Sequence, residues 1–378
     1  MSYNIYLSPP QLSGKEIKAL KAVLSSNWLA PHGAASGNFR TSIRQASSSK
    51  YVVLTNAGTA AIHLALKVLG VGFGDEVICP TYTFAASAFP IMYLHAKPIF
   101  IDVKADTWNI CPDLMEIAIK DRLRKGKKIK AIILVHNYGN PVDWLNIYNL
   151  ATEYDIPIIE DAAEALGAKY DKKNIGGLSA LGVYSFNANK IITSAGGGAL
   201  LCKSEAHYKQ ALKLCNQAKE PSYAHYVHEE VGYNYAMSDI QAAIGLSQLS
   251  EIDKKVIQKR KILAYYQEAL KDLDFIDFQQ EEDKGFSNRW LSCIKLSEKA
   301  PSTALMVKQA LDKAKIESRL SWNPLHTQKA FEQSINYTDG TSEMLFNTVL
   351  CLPSGTGLTR KEQQLVMKEL RKVLTSLN

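Results

Sequence analysis

No two of the six cysteines form a C-x-x-C pair; they lie scattered at positions 79, 111, 202, 215, 293 and 351. Zinc-ribbon and thioredoxin-like chemistry therefore have no support, and no metal is expected. In apolar runs such as Val77-Ile78-Cys79, cysteine reads as a small core residue. No uncharged apolar stretch approaches the length of a membrane span; the longest candidate, residues 84–94, is short and holds Ser87 and Pro90. The opening MSYNIYLSPPQLSGKE lacks the basic start and apolar run of a signal peptide, so a cytoplasmic protein without membrane contact is expected. Internal repeats and low-complexity segments are missing too, and the 22 Gly and 13 Pro are spread through 378 residues. That excludes collagen-like, disordered and solenoid classes.

Charge excess is modest: 44 Lys and Arg against 37 Asp and Glu, a net +7. Much of it sits at Lys120, Arg122, Arg124, Lys125, Lys127, Lys128 and Lys130. No aromatics interleave these charges and no nucleic-acid motif accompanies them, so they read as a solvated helix end and loop. His225-x-x-His228, followed by Glu229 and Glu230, has the residue types of a metal site. Its polar, Tyr-rich setting instead predicts an exposed loop.

What is present is a regular alternation. Apolar runs at 51–54, 76–79, 98–103, 131–135, 157–160, 182–186 and 199–203 read as strands, with helical patterns at 59–69, 84–93, 113–122 and 145–154 between most of them. Continuous apolar strands with helical crossovers predict an α/β fold, its mainly parallel seven-stranded sheet covered on both faces. One helical pattern runs from Ser238 towards Leu270 without Gly or Pro after Gly245. Beyond it an α+β grammar follows, with strands near 290–295 and 316–321, a helix over 302–314, and a last helix opened by the capping box Thr359-x-x-Glu362. Two domains are expected, 1–250 and 251–378.

Four segments carry chemistry. Asn56-Ala57-Gly58-Thr59 joins a strand to a helix, where free N–H groups and a hydroxyl suit a phosphate, although an ordinary helix cap would look the same. Ile158-Ile159-Glu160-Asp161 ends a buried strand on a carboxylate, at the sheet edge where α/β folds bind ligands. Asp161 could pair with a pyridinium nitrogen or cap the next helix. Ser185-Phe186-Asn187-Ala188-Asn189-Lys190 follows an apolar strand and precedes Ile191-Ile192 and Gly196-Gly197-Gly198. This context predicts partial burial of Lys190, which favours Schiff-base chemistry. The fourth segment, Tyr233-Asn234-Tyr235-Ala236, is by itself a loop before a helix.

In this order, and with Pro80-Thr81-Tyr82-Thr83-Phe84, Val135-His136-Asn137-Tyr138-Gly139 and Pro324-Leu325-His326, the chain resembles the DegT–StrS family of nucleotide-sugar aminotransferases. The likeness runs over essentially the whole chain. It implies the fold-type I, aspartate aminotransferase-like architecture with pyridoxal 5'-phosphate (PLP) as cofactor, in a homodimer with shared active sites. Leu7-Ser8-Pro9-Pro10, Ser287-Asn288-Arg289-Trp290-Leu291-Ser292 and Cys351-Leu352-Pro353-Ser354 resemble the bacillosamine-type C4 aminotransferases of that family. These aminate a UDP-linked 4-keto-6-deoxy-N-acetylhexosamine with L-glutamate as donor.

Carried over by position, the resemblance implies Lys190 as the Schiff-base and proton-shuttling lysine and Asp161 as partner of the pyridinium. Phe84 would stack on the ring, and Glu164 would lie near its phenolic oxygen. Gly58, Thr59 and Ser185 would hold the phosphate, with Asn234 reaching in from the partner subunit. Asn27, Trp28, Leu29, Ala30, Arg319, Trp322 and His326 are implied at the sugar-nucleotide site. Ala236 and Leu320 depart from the family pattern, which often has a cation and a proline there. Alternatives of the same chemistry are dTDP- or GDP-linked 3- or 4-keto-sugars. Dehydratase relatives carry His in place of the lysine, which Lys190 argues against, and a DNA-binding regulator lacks any helix-turn-helix extension here.

Overall fold

The computed structural model describes residues 2–220 and 222–375. The seven expected strands form as β1 (Tyr51–Thr55), β2 (Glu76–Pro80), β3 (Lys97–Ile101), β4 (Ile129–Val135), β5 (Ile158–Asp161), β6 (Leu181–Ser185) and β7 (Gly198–Cys202). Their order across the sheet is β1-β7-β6-β5-β4-β2-β3. Only β7 runs against its neighbours; the pairs β2/β3, β2/β4, β4/β5 and β5/β6 are parallel. These strands are buried almost throughout, as a sheet covered on both faces requires. Helices such as Gly58–Val68, Pro112–Arg124 and Trp144–Glu153 form the crossovers.

The sheet has eight strands, not seven. Ile335–Tyr337 adds in parallel to β3 at the far edge. Only three residues long and half-exposed, it carries no apolar run to announce it. A division at residue 250 also leaves out this return of the chain to the first sheet.

A second sheet is antiparallel, with Ile276–Phe278, Ser292–Leu296, Val349–Leu352 and Arg319–Leu320 side by side. Ile262, Tyr266, Val307, Leu311, Val366 and Leu370 pack against it from three helices. Of the strand expected over 316–321, only Arg319–Leu320 joins this ladder; Ile316 instead bridges Ile5, so the N-terminal segment is held on the small core. The capping box forms, with the Glu362 carboxylate accepting from the Thr359 N–H at 2.7 Å.

Two helices differ from expectation. The pattern from Ser238 breaks into Asp239–Leu249 and Ile252–Leu270. Ser247 and Ser250 donate their hydroxyls to the carbonyls of Ala243 and Ser247, competing with the helical ladder at the break. Residues 84–93 split into a 3₁₀ turn, Ala85–Ser87, and a helix, Phe89–Tyr93, restarted with Pro90 in its first turn. Within the basic cluster, Arg122 is not solvated: it is buried in a bidentate pair with Glu76. Lys120, Lys125 and Lys128 pair at the surface with Glu116, Asp121 and Asp155. His225 and His228 lie in an exposed loop. Among the described residues no helix is long and apolar enough to cross a membrane.

Candidate active site

Parallel strands deliver their C-terminal ends to one edge, so Asp161, Ser185 and Val135 arrive together at the ends of β5, β6 and β4. Asp161 is buried, with both carboxylate oxygens engaged: Ser87 Oγ donates to one at 2.7 Å and the Ala163 N–H to the other at 3.1 Å. Three residues on, the buried Glu164 accepts the Tyr138 N–H at 2.8 Å and the Lys190 ammonium at 3.3 Å. Burial pushes the Glu164 carboxyl above the usual carboxylate range, against the pull of the Lys190 charge and the Tyr138 N–H; the nearby Asp161 charge adds to the rise.

Lys190 is 11% exposed at its side chain, so the expected partial burial is found. Its Nζ also lies 4.2 Å from the centre of the Trp290 ring, a cation–π distance. The Trp290 indole N–H donates to the Asn189 carbonyl at 2.8 Å, fixing the ring beside the lysine. Tyr138 and Trp322 lie nearly parallel to Trp290, with centroids 6.3 and 6.5 Å away. These rings line a cavity of about 330 Å³, closed on another side by residues 6–10 and by Arg319. Arg319 is bound to Glu317 at 3.0 Å. Phe84 is 57% exposed, and its ring lies 5.6 Å from that of Trp322.

Beside this cluster the helix Gly58–Val68 begins without a side-chain cap, so its first N–H groups are free for an anion. A methyl group at Gly58 would come within 3.0 Å of Ser185 Cβ, which shows how closely helix start and strand end approach. Thr59 is half-buried in the first turn. Asn234 lies alongside: its carbonyl accepts from Asn56 Nδ2 at 3.2 Å, while its side chain is exposed.

The other implied substrate residues are dispersed. Asn27 takes a left-handed backbone (φ 55°), and the turn 27–30 leaves Trp28 and Leu29 exposed. Trp28 donates to the Pro31 carbonyl and Leu29 accepts from the Asp239 N–H, and none of the four, Ala30 included, lines the cavity. His326 has both ring nitrogens occupied, by Thr81 Oγ1 at 2.7 Å and Glu343 at 3.0 Å. Ser87, Tyr138 and Trp290 were not among the expected site residues. Tyr138 and Trp290 stand in motifs that carried the resemblance without a role, whereas Ser87 gave only a polar interruption in an apolar run.

The DegT/DnrJ/EryC1/StrS aminotransferase family model matches residues 10–371. EpsN of Bacillus subtilis (strain 168), described as a pyridoxal phosphate-dependent aminotransferase, is 41% identical over 374 residues, 98% of this chain and 96% of its own. GDP-perosamine synthase of Escherichia coli O157:H7 is 34% identical over 324 residues, 86% of each chain. The PLP form of Spr1654 from Streptococcus pneumoniae, described as a sugar aminotransferase, superposes with a TM-score of 0.89 at 27% identity, covering 99% of this chain and 100% of that one. The family match spans nearly the whole length, and the protein belongs to the DegT/DnrJ/EryC1/StrS aminotransferase family.

Proposed function

We propose that this protein is a cytoplasmic PLP-dependent aminotransferase that converts a UDP-linked 4-keto-6-deoxy-N-acetylhexosamine to its 4-amino sugar, taking the amino group from L-glutamate. The observation that carries the reading is the Lys190 amine held between the Glu164 carboxylate and the ring of Trp290, a residue that also lines the neighbouring cavity. The residues present fit the cofactor. The uncapped helix start at Gly58, with Thr59 and Ser185 adjoining it, suits a phosphate. Asp161, buried with both oxygens engaged, suits a pyridinium nitrogen. The exposed face of Phe84 suits stacking on the ring, and Lys190 Nζ would hold the aldehyde covalently.

When bound, PLP supplies an electron-withdrawing ring and a carbonyl that carries the amino group from donor to acceptor. The chain supplies the proton traffic. Lys190 Nζ moves a proton to and from the reacting carbon, and Glu164 and Trp290 keep the amine in place between transfers. Ser87 and the Ala163 N–H hold Asp161 in one orientation. In a homodimer with shared sites, the exposed Asn234 side chain would help hold the phosphate of the partner subunit's cofactor. Arg319 and Trp322 contact the sugar nucleotide; His326, with both nitrogens engaged, orders the Thr81 loop instead.

A GDP-linked substrate is the second reading, favoured by the 34% identity to a GDP-perosamine synthase. Incubation with glutamate and a panel of UDP-, dTDP- and GDP-linked keto-sugars, read by mass spectrometry, decides between them. Amination of the UDP-linked N-acetyl sugar alone is expected. Exclusive turnover of a GDP-sugar would replace the first reading with the second, and no turnover of any sugar would overturn both.

A further inference from the structure

Lys259, on the helix Ile252–Leu270, is 2% exposed and makes no ion pair among the described residues. Its Nζ donates to the Trp290 carbonyl at 2.7 Å and to Ser8 Oγ at 3.1 Å. Both acceptors belong to the wall of the cavity beside Lys190. Ser8 sits in the N-terminal strap, residues 6–10, and the Trp290 ring faces the Lys190 amine. The strap is also pinned by Leu7, whose N–H donates to Glu317 at 2.9 Å and whose carbonyl accepts from Ser354. None of these other contacts reaches Trp290.

Burying a cation without a carboxylate costs several kcal/mol, and a well-packed apolar side chain of similar volume is often as stabilising or more so. Stability therefore does not account for a lysine here, whereas two simultaneous donations to two cavity walls do. We propose that Lys259 is a positioning residue of the active site, tying the N-terminal strap to the Trp290 backbone so that the cavity wall stands against Lys190. This rests on the reading of Lys190 as the reacting amine. Burial and the nearby Lys255 bring the Lys259 ammonium down to about 7. Lys255, one turn earlier, donates to the carbonyl of Gln11, the residue that follows the strap, and is influenced by Glu16 and Glu251. The Ser8 hydroxyl and the Trp290 carbonyl add no charge. The clamp is strongest with Lys259 protonated and weakens as pH rises through about 7.

The test compares wild type with Lys259→Met, which keeps length and loses the donors, and with Ser8→Ala, which loses one contact and no charge. In the PLP-loaded protein, amide hydrogen exchange over residues 2–12 should quicken about tenfold in Lys259→Met, less in Ser8→Ala, with the thermal midpoint nearly unchanged. KM for the keto-sugar should rise about tenfold with a smaller change in kcat. In wild type, KM should climb above pH 7 and lose that dependence in Lys259→Met. Unchanged strap exchange and KM would overturn the proposal. If Lys259→Met does not fold, Ser8→Ala exchange and the wild-type pH profile decide it in the same directions. Reductive trapping of PLP on a lysine other than Lys190 would instead defeat the underlying reading, while leaving the strap exchange result intact.

Discussion

Replacing Gly198 by alanine adds one methyl group where β7 begins, against the loop that opens the helix Gly58–Val68. That methyl would lie 2.6 Å from the Gly58 nitrogen and 2.7 Å from the Ala57 carbonyl carbon and oxygen. Ordinary contact begins near 3.4 Å, so the loop must retreat by about 0.8 Å, and backbone rather than a pliable side chain has to move. Overpacking of this kind costs about 1–3 kcal/mol. Here the displacement falls on the N–H groups assigned to the cofactor phosphate, so PLP affinity should drop about 5- to 150-fold. Titration of the apoprotein with PLP, followed by cofactor absorbance, measures this directly, with thermal midpoints alongside. Gly37→Ala is the matched control. Gly37 sits in the helix Ala34–Ser47 with nothing within 4 Å of an added methyl, so the same change should stabilise the fold by about 0.5–1 kcal/mol and leave PLP binding alone. Tight PLP binding and an unchanged midpoint in Gly198→Ala would refute the assignment of the phosphate site.

Ser87→Ala removes the hydroxyl that donates to Asp161; losing a buried hydrogen bond to a charged group costs about 1.5–3 kcal/mol, so kcat/KM should fall about 10- to 150-fold. Rates within twofold of wild type would show that Ser87 does not orient the carboxylate. Asp161→Asn should lose most activity while still binding PLP, and full catalysis in that variant would remove Asp161 from its role. Glu164 gives a pH signature. Its folded pKa is raised by burial, so the folded state holds more protons than the unfolded one, and stability falls as pH rises upward from the ordinary carboxylate range. Glu164→Gln should flatten that part of the curve of thermal midpoint against pH; a curve of wild-type shape would show that another group sets it.

Parallel strands were legible because burial on both faces makes each one an apolar run, as in Ile129–Val135. Ile335–Tyr337 was not, since an edge strand of three half-exposed residues needs no such run. The break after Leu249 was hidden because serine hydroxyls act on the helix through carbonyl bonds that periodicity does not register. Arg122 looked like one more solvated charge, since its partner Glu76 lies 46 residues away. The same limit applies at the site. Lys190, Asp161 and Ser185 stand at the ends of strands or in a motif and could be picked out. Trp290, Ser87 and the strap at Ser8 reach the site only through tertiary packing, so no local pattern marks what they touch.

Lys190 holds the central place in this account, and one measurement addresses it directly. The PLP-loaded protein is reduced with borohydride, digested and read by peptide mass spectrometry. The phosphopyridoxyl adduct should appear on Lys190 alone and vanish in Lys190→Ala, together with turnover. An adduct on a different lysine, or normal turnover by Lys190→Ala, would contradict the account.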